Sequence, residues 1–375
     1  MFPEPTIEVQ TFLERNDMPG HLPRFRRRLT TGLLALTTAV GMGGLTACDS
    51  TSSTEPDGIS IVASTNVYGS IAQAIAGEHA TIHSIIKDPS ADPHSYEASP
   101  TDIATLKDAD IAIVNGGGYD EFAVKALADQ DQKKIINAYS FLEGDIKVDG
   151  EPDRDNELIE NEADHVEQHA DEHSHGDEHA GHHHHHVPGA PNEHVFYDVD
   201  VAKDVASDLT QKLSELDPAN QTTYQDNEEH FAQRIGEVKA VLEKIEKQRN
   251  HARFLQTEPL ATHLVDLADM LDVTPHGFAE AIEEGADVSA LQVAEMRDAI
   301  TGKKADVFLF NTQNANSTTQ EMRKLAEKSG VPVVDLTETL PEKKDYTTWM
   351  LDNAEALATA PVSYTHLRAH ETRHD

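Results

Sequence analysis

One stretch limits the possible folds of this chain more than any other. Ala219 to Arg249 contains no proline and a single glycine, Gly236, and it repeats apolar residues at Phe231, Ile235, Val238, Val241, Leu242 and Ile245. That three-to-four-residue period belongs to a helix buried along one side. A helix of about 30 residues is roughly 45 Å long, enough to cross a whole lobe of α/β structure. Asp217-Pro218 separates it from an earlier helical pattern over Val199 to Leu216. The long segment therefore reads as a rigid spine.

Strand and helix patterns alternate on both sides of it. Before the spine, Ile59 to Thr65 alternates with β-branched residues as a strand, Tyr68 to Ala76 is apolar at helical spacing, and Ala80 to Ile86 is a second strand. Ser99-Pro100-Thr101-Asp102 starts a helix, with Ser99 as N-cap, Pro100 at N1 and Asp102 at N3. Ile111 to Asn115 reads as a strand, Gly116 to Gly118 as a turn, Asp120 to Asp129 as a helix and Lys134 to Asn137 as a short strand. After the spine, strands are expected at Arg253 to Thr257, Val307 to Asn311 and Val331 to Leu336. Helices are expected at Pro259 to Leu271, Ser289 to Ile300, Ser317 to Lys328 and Tyr346 to Ala360. The fold class is α/β: two lobes with parallel sheets flanked by helices, joined by one long rigid spine helix, with the ligand in the cleft between them. We expect an N-terminal lobe over residues 58–218, a linking helix over 219–249 and a C-terminal lobe over 250–360.

The ends are of a different character. Arg24-Phe25-Arg26-Arg27-Arg28 is a basic n-region, and Leu29 to Gly44 is a mostly apolar or small h-region too short for a comfortable membrane span. Leu45-Thr46-Ala47-Cys48 matches a bacterial lipobox, so residues 1–48 are expected to be a lipoprotein signal peptide, with translation starting at Met18, and Cys48 to carry a lipid. Cys48 is also the only cysteine, which excludes a disulfide framework and a thiolate metal site. Residues 49–57 read as a flexible tether. Pro361 to Asp375 has no amphipathic period and looks like a non-native tail resembling translated adapter sequence, so His366, His370 and His374 are set aside.

The formal net charge of −37 disfavours nucleic acid and anionic surfaces and favours cations. Histidines concentrate in an acidic run: His165, His169, His173, His175, His179, His182, His183, His184, His185 and His186. Neutral imidazole is the commonest protein ligand for zinc-like metals. Residues 144–191 have little apolar content and dense charge, so they are expected to be a disordered loop without metal, serving as an accessory low-affinity collector. Separately, ligand-type residues just past strand ends make a short set: His94, Glu258 and Glu338, joined by His194 where ordered sequence resumes. Two imidazoles and two carboxylates suit a divalent ion of zinc or manganese type in a cleft. Each has a plainer reading: His94 as a loop histidine, His194 as the tail of the run, and the two glutamates as carboxylates at helix starts.

At this point the chain resembles a known family, the metal-binding lipoproteins of bacterial ABC importers for zinc and manganese, over about residues 58 to 360. Asp92-Pro93-His94-Ser95-Tyr96-Glu97 resembles that family's first-ligand loop. Asn192-Glu193-His194-Val195-Phe196-Tyr197-Asp198 resembles its second-ligand segment, which in zinc members follows a histidine-rich loop. Thr257-Glu258-Pro259 and Thr337-Glu338-Thr339 fall where the third and fourth ligands sit. Glu258 is the residue type of manganese members where many zinc members have histidine, and Glu338 stands where aspartate is common. The resemblance implies a monomer that captures extracellular Zn²⁺, with Mn²⁺ as the alternative cargo, and delivers it to an ABC permease. It would do so from the outer face of the cytoplasmic membrane, anchored there by the lipid on Cys48.

Two rivals stand beside that reading. A metallohydrolase would need an open coordination position and a general base such as Glu97 or Glu193, and no HExxH signature is present. Four protein ligands would close the shell, so binding rather than catalysis is expected. A surface metal buffer or adhesin is the non-transport rival. His79, His83, His230, His251, His263 and His276 read as surface or satisfied core histidines, and Trp349 with Met350 as core.

Overall fold

A computed structural model describes residues 58–88, 91–144, 191–249 and 251–360. The signal region, Cys48, the tether, all ten histidines of the acidic run and the C-terminal tail lie outside the described residues. Before the run the elements are β1 (Ile59–Thr65), α1 (Asn66–Ala76), β2 (Ala80–Ile86), α2 (Pro100–Lys107), β3 (Ile111–Val114), α3 (Glu121–Leu127), β4 (Ile135–Asn137) and α4 (Ser140–Gly144). After it come α5 (Val199–Leu216) and α6 (Gln221–Gln248). The second half holds β5 (Arg253–Gln256), α7 (Thr262–Asp266), β6 (Leu271–Asp272), α8 (Phe278–Glu283), α9 (Ala290–Thr301), β7 (Val307–Asn311), α10 (Ser317–Ser329), β8 (Val333–Leu336) and α11 (Tyr346–Thr359).

Each half builds one four-stranded sheet, ordered β2-β1-β3-β4 and β6-β5-β7-β8, with every pairing parallel. Both sheets thus reverse direction of growth after their second strand. That places a switch point at the carboxyl ends between β1 and β3 and between β5 and β7, where side chains from neighbouring loops converge. The central strands β3 and β7 are buried along their whole length, as continuous apolar runs in parallel sheets covered on both faces should be. Ser99 and Asp102 form the expected capping box at the start of α2.

The spine is α6, about 42 Å long for its 28 residues. Its buried side is Tyr224, Phe231, Ile235, Val238, Leu242 and Ile245, while Val241 is only partly buried. It packs on α1 and α5 from the first half and on α11 from the second. One continuous apolar core accordingly contains Ile61 and Ile113 of the first sheet together with Phe254 and Leu336 of the second. Trp349 and Met350 are part of it. Trp349 stacks on Phe196 at 6.3 Å between centroids and packs against Tyr197 at 5.4 Å, so α11 grips the segment that follows His194. Tilting one half against the other would separate these packed side chains.

The structure corrects two expectations in the second half. The helix expected over Pro259 to Leu271 is only α7, Thr262–Asp266. Asp269 takes a positive φ of 50°, which ends helical geometry, and the Leu271 and Val273 amides donate to Ala252 and Phe254 to build the edge strand β6. The short helix α8 had no forecast at all. Among the described residues no helix is long and apolar enough to cross a membrane.

Candidate metal centre

The loops at the carboxyl ends of both sheets meet around six side chains. His94 hangs in the loop after β2, where an aspartate turn holds it: the His94 amide donates to Asp92 Oδ1 at 2.9 Å and Ser95 Oγ to Asp92 Oδ2 at 2.7 Å. His194 caps the short 3-10 turn Val195–Tyr197 and is 2 % exposed. Glu258 lies two residues past β5 and Glu338 two residues past β8, at 5 % and 4 % exposure. Donor atoms of His94, His194 and Glu338 all lie within 4.8 Å of one another, with His94 Nε2 3.8 Å from Glu338 Oε2. Three of the four residues singled out in the sequence therefore converge.

Glu258 joins them through an intermediary. Asn311, the last residue of β7, donates from Nδ2 to Glu258 Oε2 and, at 2.7 Å, to Glu338 Oε1. Its own Oδ1 accepts from the Gln313 amide at 3.0 Å, and Gln313 Oε1 in turn accepts from the Glu338 and Thr339 amides. Glu258 Oε1 is buried and has no hydrogen-bond partner among the described residues. A buried carboxylate oxygen left without a donor is costly unless a proton or a cation takes its place.

The orientation of His194 is set from behind. Asn192 Nδ2 donates to the Pro259 carbonyl at 3.0 Å, which identifies its Oδ1 as the acceptor facing the His194 amide at 2.9 Å. His194 Nδ1 lies 3.2 Å from the same oxygen. Only a protonated Nδ1 can bond there, and the lone pair is then on Nε2, the arrangement outer-shell partners impose on metal-ligating histidines. His263 is spent on the scaffold: its Nε2 donates to the Asn192 carbonyl at 2.9 Å. Tyr197 and Tyr346 add hydroxyl bonds to the Thr337 and Phe196 carbonyls.

The first half supplies the back wall. Gly116, Gly117 and Gly118 all adopt positive φ. At Gly116 a Cβ would collide with the Asn137 side chain, and at Gly117 with the Tyr139 ring, so glycine is required at both. The turn delivers Tyr119, whose ring sits edge-on to His94 at 4.9 Å and to His194 at 5.7 Å. The Tyr119 hydroxyl donates to the Glu338 carbonyl at 3.2 Å.

Two further glutamates complete the cluster. Glu193 is 4 % exposed, and Glu283, the last residue of α8, lies 3.7 Å from His194 Nδ1 through Oε1. Donor atoms of Glu193, Glu283 and His94 form a second group within 4.8 Å of one another. Glu193 was visible beside His194 in the sequence. Glu283 follows no strand and sits in an ordinary acidic stretch, so nothing local pointed to it.

Burial sets the electrostatics. It raises the Glu258 carboxyl to about 7 against the hydrogen bond from Asn311. It raises Glu338 to about 8, with the neighbouring charges of Glu258 and Asp92 adding to the effect. Glu283 is pushed up as well, first by burial and then by Glu193. Among the described residues no lysine or arginine ion pair reaches Glu258 or Glu338. Carboxylates crowded together in this way repel each other until something positive enters.

A pair of parallel sheets fixed to one spine, with imidazoles and carboxylates facing each other between them, defines a cation-binding protein. The family model described as ZnuA, zinc-uptake complex component A, periplasmic, matches residues 61–360, and the chain belongs to that family. It is 24 % identical over 201 residues to the metal ABC transporter substrate-binding lipoprotein ScbA of Streptococcus cristatus, covering 51 % of this chain and 54 % of that protein. It is 26 % identical over 110 residues to the manganese-binding lipoprotein MntA of Halalkalibacterium halodurans, covering 29 % of this chain and 36 % of that protein. The chain thus spans about half the length or less of these curated relatives. A solved structure titled as a crystal structure of ZnuA superposes with a TM-score of 0.57 at 16 % identity, covering 81 % of this chain and 99 % of that one. By their names, ScbA is a substrate-binding lipoprotein of a metal ABC transporter and MntA a manganese-binding lipoprotein. The names of the family model and of these relatives include both zinc and manganese.

Proposed function

We propose that this protein captures extracellular Zn²⁺ between its two sheets and delivers it to an ABC importer permease, held at the outer face of the cytoplasmic membrane by a lipid on Cys48. His94, His194, Glu258 and Glu338 are the ligands in this reading. The observation that carries it is the convergence of two imidazoles and the Glu338 carboxylate within 4.8 Å of one another, with Glu258 tied to Glu338 through one asparagine. A set of two nitrogens and two oxygens favours zinc over manganese by the intrinsic order of divalent affinities. With four protein ligands the shell is closed, which suits carriage and leaves no place for an activated water.

Manganese is the second reading, supported by the carboxylates themselves, since oxygen donors suit that harder ion. Competitive titration of the Cys48-onward protein against chelators, with Zn²⁺ and Mn²⁺ in turn, separates the two. We expect one equivalent of zinc bound more tightly than manganese by about 100-fold or more. Equal affinities, or tighter manganese, would reassign the cargo.

Asn311 gives a finer check on the ligand set. Asn311→Ala removes the donor that holds both carboxylates in place, so zinc affinity in the same titration should fall about 10- to 100-fold. An unchanged affinity would mean that Glu258 and Glu338 do not act as a pair.

A further inference from the structure

Six donor side chains surround the site, more than a single tetrahedral ion can use. They are not arranged as one shell. His94, His194 and Glu338 form one triad, and His94, Glu193 and Glu283 form another. His94 is common to both, and the two groups touch again where His194 Nδ1 approaches Glu283 Oε1 at 3.7 Å. The first triad offers two nitrogens and one oxygen, the second one nitrogen and two oxygens.

We propose that Glu193 and Glu283 form, with His94, a second position for the same divalent cation, and that the ion exchanges between the two positions by pivoting on His94. This rests on the ligand assignment made above. Because His94 can serve only one position at a time, the protein holds a single ion. In moving from the first position to the second the ion keeps His94, while Glu193 and Glu283 take over from His194, Glu258 and Glu338 in turn. Release then never requires all ligands to leave together. The second position is the weaker for zinc, since it replaces an imidazole by a carboxylate, as a step on the way out should be.

The elements carrying the two triads favour this division. Glu258 and Glu338 stand on loops just past strands β5 and β8, braced by Asn311 and Gln313. Glu283 ends a helix of six residues, followed by Gly285 at a φ of 64°. Glu283 is therefore carried by a short helix outside the sheet, anchored through Phe278 and Ile282.

The test uses the zinc-loaded protein and measures release into excess EDTA by stopped flow. Glu283→Gln and Glu193→Gln should each keep a stoichiometry of one and slow zinc release by about tenfold. Independently, the Glu258→Gln/Glu338→Gln protein should still bind one Co²⁺, more weakly, and adding Glu283→Gln should abolish that residual binding and its visible absorption. Unchanged release in both single variants overturns the proposal. So does loss of tight zinc binding in Glu283→Gln alone, which would make Glu283 a constant ligand. Failure of the wild type to bind any zinc would instead reject the ligand assignment itself.

Discussion

His94→Ala should abolish tight binding of one equivalent of metal. His94 is the one side chain present in both donor groups of the site, so its removal leaves neither complete. Closed four-ligand zinc sites bind with about 10–16 kcal/mol in total, so one ligand accounts for roughly 3 kcal/mol, or about 100- to 1000-fold in affinity. The side chain is only partly buried and its loop is held by Asp92 through backbone and Ser95 contacts that the substitution leaves intact. The variant should therefore fold and melt normally without metal. Chelator competition on folded His94→Ala provides the measurement, and full-affinity binding of one equivalent would show that the site lies elsewhere.

Metal binding should raise the melting temperature by roughly 8–16 °C at a free zinc concentration near 1,000 times the dissociation constant, from about 4 kcal/mol of linkage and about 2–4 °C per kcal/mol at this size. At a fixed free zinc concentration the effect should grow with pH. Glu258 and Glu338 are raised in the folded protein to about 7 and about 8, so there they hold protons that the unfolded chain has already lost. Their contribution to stability is complete below the ordinary carboxyl range and disappears as pH climbs through 7 and 8. The metal-free protein should thus melt lower at pH 8.5 than at pH 6. The zinc-bound protein has replaced those protons by a cation and should change less, so the zinc-induced increment widens over the same window. Calorimetry at both pH values measures it. A metal-free melting temperature that rises from pH 6 to pH 8.5 would contradict the burial of these carboxyls.

Much of the fold could be read locally. The apolar period from Phe231 to Ile245 needed no neighbours to mark a helix, because the absence of proline and the one-sided spacing are properties of the segment alone. The capping box at Ser99 and Asp102 is likewise local. The failures lie where pairing decides. Residues 259–271 have helical composition, yet the edge of the second sheet offers Ala252 and Phe254 carbonyls to Leu271 and Val273, and the ladder wins over propensity.

The site divides along the same line. His94 and His194 stand in distinctive short segments, and Glu258 and Glu338 stand just past strand ends, so sequence alone could nominate all four. What the residue order could not contain is that Asn311, from a different strand, would bind both carboxylates at once, or that Glu283 would arrive beside His194 from an unforecast helix. Those relations depend on the two sheets facing each other across one spine, a matter of packing between segments far apart in the chain. By itself the sequence determined the elements, the spine and four candidate donors. Only the tertiary structure decided which donors meet, how deeply they are buried, and that His94 belongs to two groups at once, because burial and convergence are set by the contacts a residue acquires and not by its place in the chain.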